Sequence, residues 1–326
     1  MKALVTGATG FVGSHLAEAL RRRGDEVTAL VRSPRKAEAL GPLAVRTVAG
    51  DLDDPGALAR AVEGQDVVFH VAGLVAARDE REFMRCNRDG TASLVAAAAA
   101  AASGAVTPRF VLVSSMAAGG PAQPGRPLTG TEPAHPVTAY GRSKLAAEAA
   151  VTAGTLPWVI LRPPTVYGPR DREVLKVFRM ARLGIAPVFG DGSQQLSAVH
   201  GADLATALIA AGTAASTVGK IYYPCHPEVA TSTEFVRAVG RAMGRQLSVV
   251  PIPAPVGRAL LAVTEAAARI AGQTTILTRD KANEFFQEAW TGDPGPLTRD
   301  SGWRAVHDLG SGLADTYRWY RNAGWL

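Results

Sequence analysis

The chain has 326 residues, a net charge of +6, and 47% hydrophobic against 20% charged residues. That length suits about two domains around a large core and excludes a disordered or low-complexity chain. Two cysteines, Cys86 and Cys225, exclude a disulfide scaffold and a cysteine-based zinc cluster, and fit a reducing, cytoplasmic setting. The basic residues are scattered without interleaved aromatics, so neither a nucleic-acid surface nor a metal site is expected. Glycines break the apolar run of Met1–Gly13, so no secretory signal is expected. No stretch of about 20 apolar residues predicts a membrane span.

The first half alternates short apolar runs with helical patterns. Ala3–Thr6 reads as a buried strand, followed by glycines and a helix from about Phe11 to Arg23 that Gly24 stops. Val27–Val31, Val45–Ala49 and Val67–Val71 read as the next three strands. A long helix over about Glu80–Ala102 ends at Gly104. Phe110–Val113 and Trp158–Leu161 are strands five and six, with a helix over about Thr138–Ala153 between them. Continuously apolar strands predict a parallel sheet buried on both faces. After Pro163-Pro164 the strands shorten, and helical patterns lie near Asp171–Leu183, Ala202–Ala211, Thr233–Met243, Val256–Ile270 and Gly312–Tyr320. The expected fold is α/β: a doubly wound parallel sheet with helices on both faces over residues 1–166, and a smaller mixed lobe over 167–326. A segment of about 196–223 is expected to return to the sheet. Ligands of such sheets bind at the C-terminal edge of the strands.

Four stretches carry chemistry. Thr6–Gly13 has the glycine spacing GxxGxxG, directly after the first strand and at the start of a helix. Glycine there lets the backbone approach a pyrophosphate, and the helix N-terminus supplies N–H donors. The alternative is a turn that merely packs helix on strand. Strand two ends Leu30-Val31-Arg32-Ser33-Pro34-Arg35-Lys36, where an acidic residue would bond an adenosine ribose 2′-hydroxyl. Arg32 and Arg35 instead suit a 2′-phosphate, which points to NADP over NAD; a solvated basic turn is the alternative. Asp51-Leu52 is placed to meet the adenine, or lies in a surface turn.

Tyr140 and Lys144, four residues apart on a helix, share a face. A nearby ammonium and a cationic nicotinamide would lower the tyrosine pKa, so that it passes a proton near neutral pH. The other reading is a half-buried tyrosine beside a solvated lysine. Ser114-Ser115 ends strand five, where a hydroxyl either bonds a substrate carbonyl or caps a turn.

With these motifs in this order, the sequence resembles the extended short-chain dehydrogenase/reductase superfamily, the NAD-dependent epimerase/dehydratase family. The resemblance spans nearly the whole chain. It includes Thr6–Gly13, Gly50-Asp51-Leu52, His70-Val71-Ala72-Gly73, Asn87 with Gly90-Thr91, Ser114-Ser115, Tyr140–Lys144, Leu161–Pro169 and Val199-His200 with Asp203-Leu204. It implies a Rossmann-type domain with Ser115, Tyr140 and Lys144 as catalytic trio. It also implies Lys144 on the nicotinamide ribose and Pro163 beside the nicotinamide. Thr6, Gly7, Gly10, Phe11, Val12, Gly13, Val71, Ala72, Gly73 and Asn87 are the further cofactor contacts expected. Family likeness also implies a homodimer through the helix Glu80–Ala102 and the helix bearing Tyr140.

Three departures matter. Thr165 stands where nucleotide-sugar epimerases carry Asn, Leu196 where they carry Arg, and Met116-Ala117 where 4,6-dehydratases carry an Asp-Glu pair. The Leu-Arg-Pro-Pro run at 161–164 looks like the hydroxysteroid dehydrogenase and dihydroflavonol reductase branch. The helix Pro255–Ile270 suits an apolar pocket wall or plain core, and Val75, Met116, Thr165 and Tyr167 are expected lining. The resulting expectation is an NADP(H)-dependent oxidoreductase interconverting a ketone or aldehyde and an alcohol on a small apolar substrate. The alternatives are an NAD(P)-dependent sugar or nucleotide-sugar epimerase and a non-catalytic NADP-sensing protein.

Overall fold

The computed structural model describes residues 1–102 and 107–326. β1 (Lys2–Thr6) leads into α1 (Phe11–Arg22), β2 (Glu26–Val31) into the short α2 (Pro34–Ala37), and β3 (Arg46–Ala49) into α3 (Pro55–Val62). β4 (Val67–His70) precedes α4 (Glu80–Phe83), a π-helical turn over Met84–Asp89 and α5 (Gly90–Ala101). β5 (Arg109–Val113) precedes α6 (Met116–Gly119) and α7 (Ala139–Thr152), followed by β6 (Trp158–Leu161). The second half contains β7 (Thr165–Tyr167), α8 (Glu173–Ala181), β8 (Ile185–Phe189), β9 (Gln195–His200), α9 (Gly201–Thr213), β10 (Lys220–Tyr222) and β11 (Val229–Thr231). It continues with α10 (Ser232–Ala242), β12 (Ser248–Ile252), α11 (Ala254–Ile270), α12 (Ala282–Phe285), β13 (Ala289–Trp290), α13 (Gly295–Ser301) and α14 (Leu309–Asn322).

Seven parallel strands form the central sheet in the order β10-β6-β5-β4-β1-β2-β3. The order reverses between β1 and β4, so the loops after these two strands open a crevice at the C-terminal edge. Successive strand residues go to opposite faces, and both faces are covered. Val5, Ala29, Phe69, Val111 and Leu161 pack with Leu16 and Leu20 of α1 and Leu204 and Leu208 of α9. Leu4, Val68, Phe110, Leu112 and Ile160 pack with Leu58 of α3, Leu94 of α5 and Val151 of α7.

Within the stretch about 196–223, β9 pairs with β7, β11 and β13 in a second sheet. The next element, α9, lies on α1, and β10 is the edge strand beside β6. Leu297 and Trp303, far along the second half, also join the core under the central sheet. Phe178, Phe235, Leu313 and Tyr320 build a separate core between α8, α10 and α14.

Several elements differ from expectation, the short helices α2, α6, α12 and α13 among them. α3 is an additional helix, capped by Asp54, which accepts from the Ala57 N–H at 3.0 Å, with Pro55 at its first position. The long helix after β4 widens into the π turn, which turns Asn87 into the protein interior. The expected stop at Gly104 lies outside the described residues.

Candidate active site

The glycine loop is shaped by close approach. Gly7 adopts φ +72°, and a Cβ there would sit 2.8 Å from the Ala72 nitrogen. A Cβ on Gly13 would lie 2.1 Å from the Gly7 carbonyl oxygen. Gly10 caps α1 with no side-chain hydrogen bond, and the first turn holds no acidic residue. The first N–H groups of α1 and its positive dipole end are therefore left to a ligand at the crevice. That is the environment a pyrophosphate requires.

A directional chain of hydrogen bonds ties this loop to α5. The Ala72 N–H donates to Thr6 Oγ1 at 3.2 Å, and Thr6 Oγ1 lies 2.7 Å from His70 Nδ1. His70 Nε2 lies 2.9 Å from Thr91 Oγ1, whose hydroxyl donates to the Asn87 carbonyl at 2.5 Å. Thr91 spends its proton on Asn87, so its oxygen accepts from His70. That fixes the Nε2–H tautomer and leaves Nδ1 to accept from Thr6. Burial pushes the His70 imidazole down to about 3, with the Lys144 charge adding, so it stays neutral.

Asn87 works beside it. Its Oδ1 accepts from the Leu74 N–H at 2.8 Å, and its Nδ2 donates to the Leu74 carbonyl at 3.1 Å and to Ser143 Oγ at 2.9 Å. Ser143 donates in turn to the Tyr140 carbonyl at 2.8 Å. Both amide hydrogens of Asn87 are thus used to fix the loop after β4 against α7.

β5 and α7 bring Ser115, Tyr140 and Lys144 to one edge. Ser115 Oγ accepts from the Ala117 N–H at 3.2 Å and caps α6. Thr138 caps α7, accepting from the Gly141 N–H at 3.1 Å, and so sets Tyr140 in the first turn. Lys144 is buried, with Nζ donating to the Val113 carbonyl at 2.8 Å. Burial pushes Lys144 down to about 8, against the Glu148 carboxylate and the Cys86 thiol.

The Tyr140 phenol is pushed up to about 12 by burial; a hydrogen bond with Ser115 opposes the shift and the Glu284 charge adds to it. Lys144 is not among the groups that shift this phenol, and burial dominates it. Burial therefore favours the protonated hydroxyl of Tyr140.

The other expected cofactor residues surround the same crevice. Phe11, Val12, Val71 and Ala72 are half-buried in the two loops, and Gly73 is exposed. A Cβ on Gly73 would meet Asn87 Oδ1 at 3.0 Å and Lys144 Nζ at 3.4 Å. Arg32 directly follows β2 and Arg35 lies on α2, both exposed. The charges of Arg32 and Asp53 both act on Cys86, which sets the end of β2 across from the π turn. Asp51 is exposed and accepts from the Asp53 N–H at 3.0 Å, while Leu52 packs on Gly90. Pro163 is buried, its carbonyl accepting from the Met116 N–H at 3.0 Å.

The model of the NAD dependent epimerase/dehydratase family matches residues 3–223. The chain belongs to this family. A ceramide reductase of Caulobacter vibrioides is 35% identical over 324 residues, covering 99% of this chain and 95% of that protein. The crystal structure of gox2253 matches with a TM-score of 0.82 at 27% identity, over 99% of this chain and 98% of that one. MoeE5 in complex with UDP-glucuronic acid and NAD matches at 0.79 and 25% identity, over 99% and 100%. The chain is an NAD(P)-dependent enzyme of this epimerase/dehydratase family.

On the substrate side of this family member, the expected lining residues differ in burial. Met116 is buried with Leu128 and Tyr223. Tyr167 is buried against His200 and Phe235, with its hydroxyl donated to the Asp308 carbonyl at 3.1 Å. Met116 is packed in the core, while Tyr167 also borders a small hollow with Leu196, Ala198 and His226. Val75 and Thr165 are exposed. The helix Pro255–Ile270 is mostly exposed, and of α11 only Gly257 and Leu261 are buried. A cleft of about 350 Å³ is lined by Gly125, Pro127, Gln195, Val229, Ala230, Thr231 and Thr291.

The region around α12 supplies residues that the motifs do not reveal. Asp280 accepts from the Ala139 N–H at 2.7 Å, and Glu284 from the Thr138 hydroxyl at 2.6 Å. Lys281 pairs with Glu284 and stands 5.5 Å from the centroid of the Tyr140 ring. This segment holds the N-terminus of α7 and one side of Tyr140.

Proposed function

We propose that this enzyme is an NADP(H)-dependent reductase of an apolar ketone or aldehyde, able to oxidise the alcohol in reverse. The observation that carries the reading is the placement of Ser115, just past the end of β5, beside Tyr140 in the first turn of α7, with Lys144 buried one turn along and donating to the Val113 carbonyl at 2.8 Å. Tyr140 donates the proton that the reduced carbonyl oxygen takes up. Ser115 orients that oxygen through Oγ. Lys144 holds the nicotinamide ribose, and the N-terminus of α1 holds the pyrophosphate. Arg32 and Arg35 hold the 2′-phosphate, with Asp51 and Leu52 at the adenine. Hydride transfer is the chemistry the nicotinamide supplies when bound.

No carboxylate follows Ser115, which weighs against dehydration. Likeness to a protein named ceramide reductase over almost all of both chains supports a lipid-like carbonyl substrate. A second reading, nucleotide-sugar epimerisation, draws on the likeness to MoeE5 with UDP-glucuronic acid. Against it, Leu196 packs with the apolar core of the second half and offers no guanidinium to a diphosphate.

In this reading residues 1–166 with α9 and β10 bind the dinucleotide, the remainder of 167–326 shapes the substrate site, and the enzyme works as a cytoplasmic homodimer. The test is turnover on a panel of apolar ketones and secondary alcohols beside UDP- and GDP-sugars. NADPH consumption with the ketones is expected. Turnover confined to nucleotide sugars without net NADPH consumption would establish the epimerase.

A further inference from the structure

One short segment of the second half reaches the proton donor. Tyr140 sits in the first turn of α7, whose cap residue Thr138 accepts from the Gly141 N–H at 3.1 Å. The Thr138 hydroxyl donates its proton to Glu284 of α12 at 2.6 Å, which leaves its oxygen free to accept from α7. Asp280 accepts from the Ala139 N–H at 2.7 Å, and Asn283 donates to the Val137 carbonyl at 3.4 Å. The start of α7 is therefore fixed by partners more than 140 residues further along the chain.

Glu284 is itself held in place. Its side chain is 11% exposed. The Trp290 indole donates to its carbonyl at 2.9 Å, and Trp290 of β13 pairs with Leu196 of β9 in the second sheet. The carboxylate oxygen not used by Thr138 takes Lys281. Lys281 Nζ stands 5.5 Å from the centroid of the Tyr140 ring, and the Phe83 ring lies 5.8 Å from that ring. One carboxylate thus serves both the cap of α7 and the cation beside the phenol.

The charges around Tyr140 come from three helices. On α7, Lys144 donates to the Val113 carbonyl at 2.8 Å, and Arg142 pairs with Glu80 of α4 at 2.7 Å. From the α12 region come Lys281, Glu284 and Asp280, the last engaged by the Ala139 N–H. Among these, the Glu284 charge is the one that acts on the phenol, favouring its protonated form. An ammonium without a counter-ion at the ring would favour the phenolate. We propose that Glu284 is a positioning residue for the proton donor: it locks the first turn of α7 through Thr138 and keeps the Lys281 ammonium from drawing off the Tyr140 proton. The inference rests on Tyr140 as the donor in the reductase reading.

The test is the pH dependence of NADPH-driven reduction of an aliphatic ketone by the full chain. Glu284→Gln keeps an acceptor for Thr138 and removes the charge. The alkaline limb, where the donor loses its proton, should move about one pH unit toward neutral. Lys281→Met leaves the carboxylate in place and should not move the limb toward neutral. Both variants break the ion pair, so a pair that only staples α12 to α7 would give the same profile in both, and that outcome would overturn the proposal. A second readout needs no turnover: phenolate absorbance against pH, taken as the difference between each protein and its Tyr140→Phe counterpart. Glu284→Gln should ionise at lower pH than the wild type, and Lys281→Met should not. Equal ionisation of Glu284→Gln and the wild type would overturn the proposal. Full turnover by Tyr140→Phe would instead remove Tyr140 as the donor, a failure of the reductase reading that the absorbance order does not share.

Discussion

Glu148 grips Arg162 in the core beneath the reaction edge: Arg162 Nη2 and Nε donate to its two oxygens at 2.6 and 2.9 Å, and both side chains are 4% exposed. Glu148 lies one turn past Lys144 on α7, and its charge opposes the effect of burial on that lysine. Ser114 donates to the same carboxylate, and Arg162 Nη1 donates to the Tyr223 hydroxyl at 3.1 Å. Removing one partner leaves a buried charge unpaired, which costs about 3–5 kcal/mol. Arg162→Met should therefore destabilise the protein by that amount in denaturant melts. Glu148→Leu with Arg162→Met should recover part of the loss. An equal or larger loss in the double variant would mean that packing, not the ion pair, matters at this site.

Tyr140→Phe removes only the hydroxyl. Turnover should fall about 100-fold or more, with NADP affinity and melting temperature retained. Lys144→Ala should lower both cofactor affinity and rate, and Ser115→Ala should lower rate more than affinity. A destabilised Tyr140→Phe with unchanged specific activity would make Tyr140 a packing residue.

What could be read from the sequence follows the range over which its signals act. The glycine loop, the strand succession, and Tyr140 with Lys144 are local patterns. α3 carries local signals too, Asp54 and Pro55, but its short alanine-containing body hardly stands out by periodicity. The chain from Thr6 through His70 joins residues 64 apart, and Asp280 and Glu284 reach partners 141 and 146 residues away. No local pattern encodes such pairings. Met116 looks like lining because apolar character suits a pocket and a core alike. α11 misleads for a related reason: a helical apolar period does not say whether the stripe meets protein or solvent.

Arg32→Ala should weaken NADP binding about tenfold or more and leave NAD nearly unchanged, since it removes one charge-assisted bond to the 2′-phosphate. Titration of both cofactors against both proteins checks this. Equal wild-type affinity for NAD and NADP would remove the assignment of Arg32 and Arg35.

The exposed alanines 92, 96 and 100 of α5 and 149 of α7 allow a second copy to approach closely. Sedimentation should show a dimer at micromolar concentration, and Ala96→Glu should dissociate it. A wild-type monomer would reject the dimer.

Acid should destabilise the protein through its buried histidines. Burial is the largest influence on each, pushing His15 down to about 4 and His70 and His200 to about 3. A folded state that prefers neutral imidazole has its full contribution above the unfolded value of about 6.5 and loses it as pH falls toward 3–4. Each such group costs about 1.4 kcal/mol per pH unit over that span. Asp171 acts the other way: burial raises it to about 6, so its contribution is present at low pH and lost as pH rises through that value. Between about pH 6 and pH 4 it offsets roughly one of the three histidines, and the net slope remains acid-destabilising. Among the described residues His200 Nε2 has no hydrogen-bond partner, so His200→Gln removes a titrating ring without breaking a bond at that atom. The wild-type melting temperature should fall steadily below about pH 6.5, and the variant should fall less steeply. A melting temperature that stays level from pH 7 to pH 5, or a variant slope equal to the wild type's, would show that these imidazoles do not govern stability.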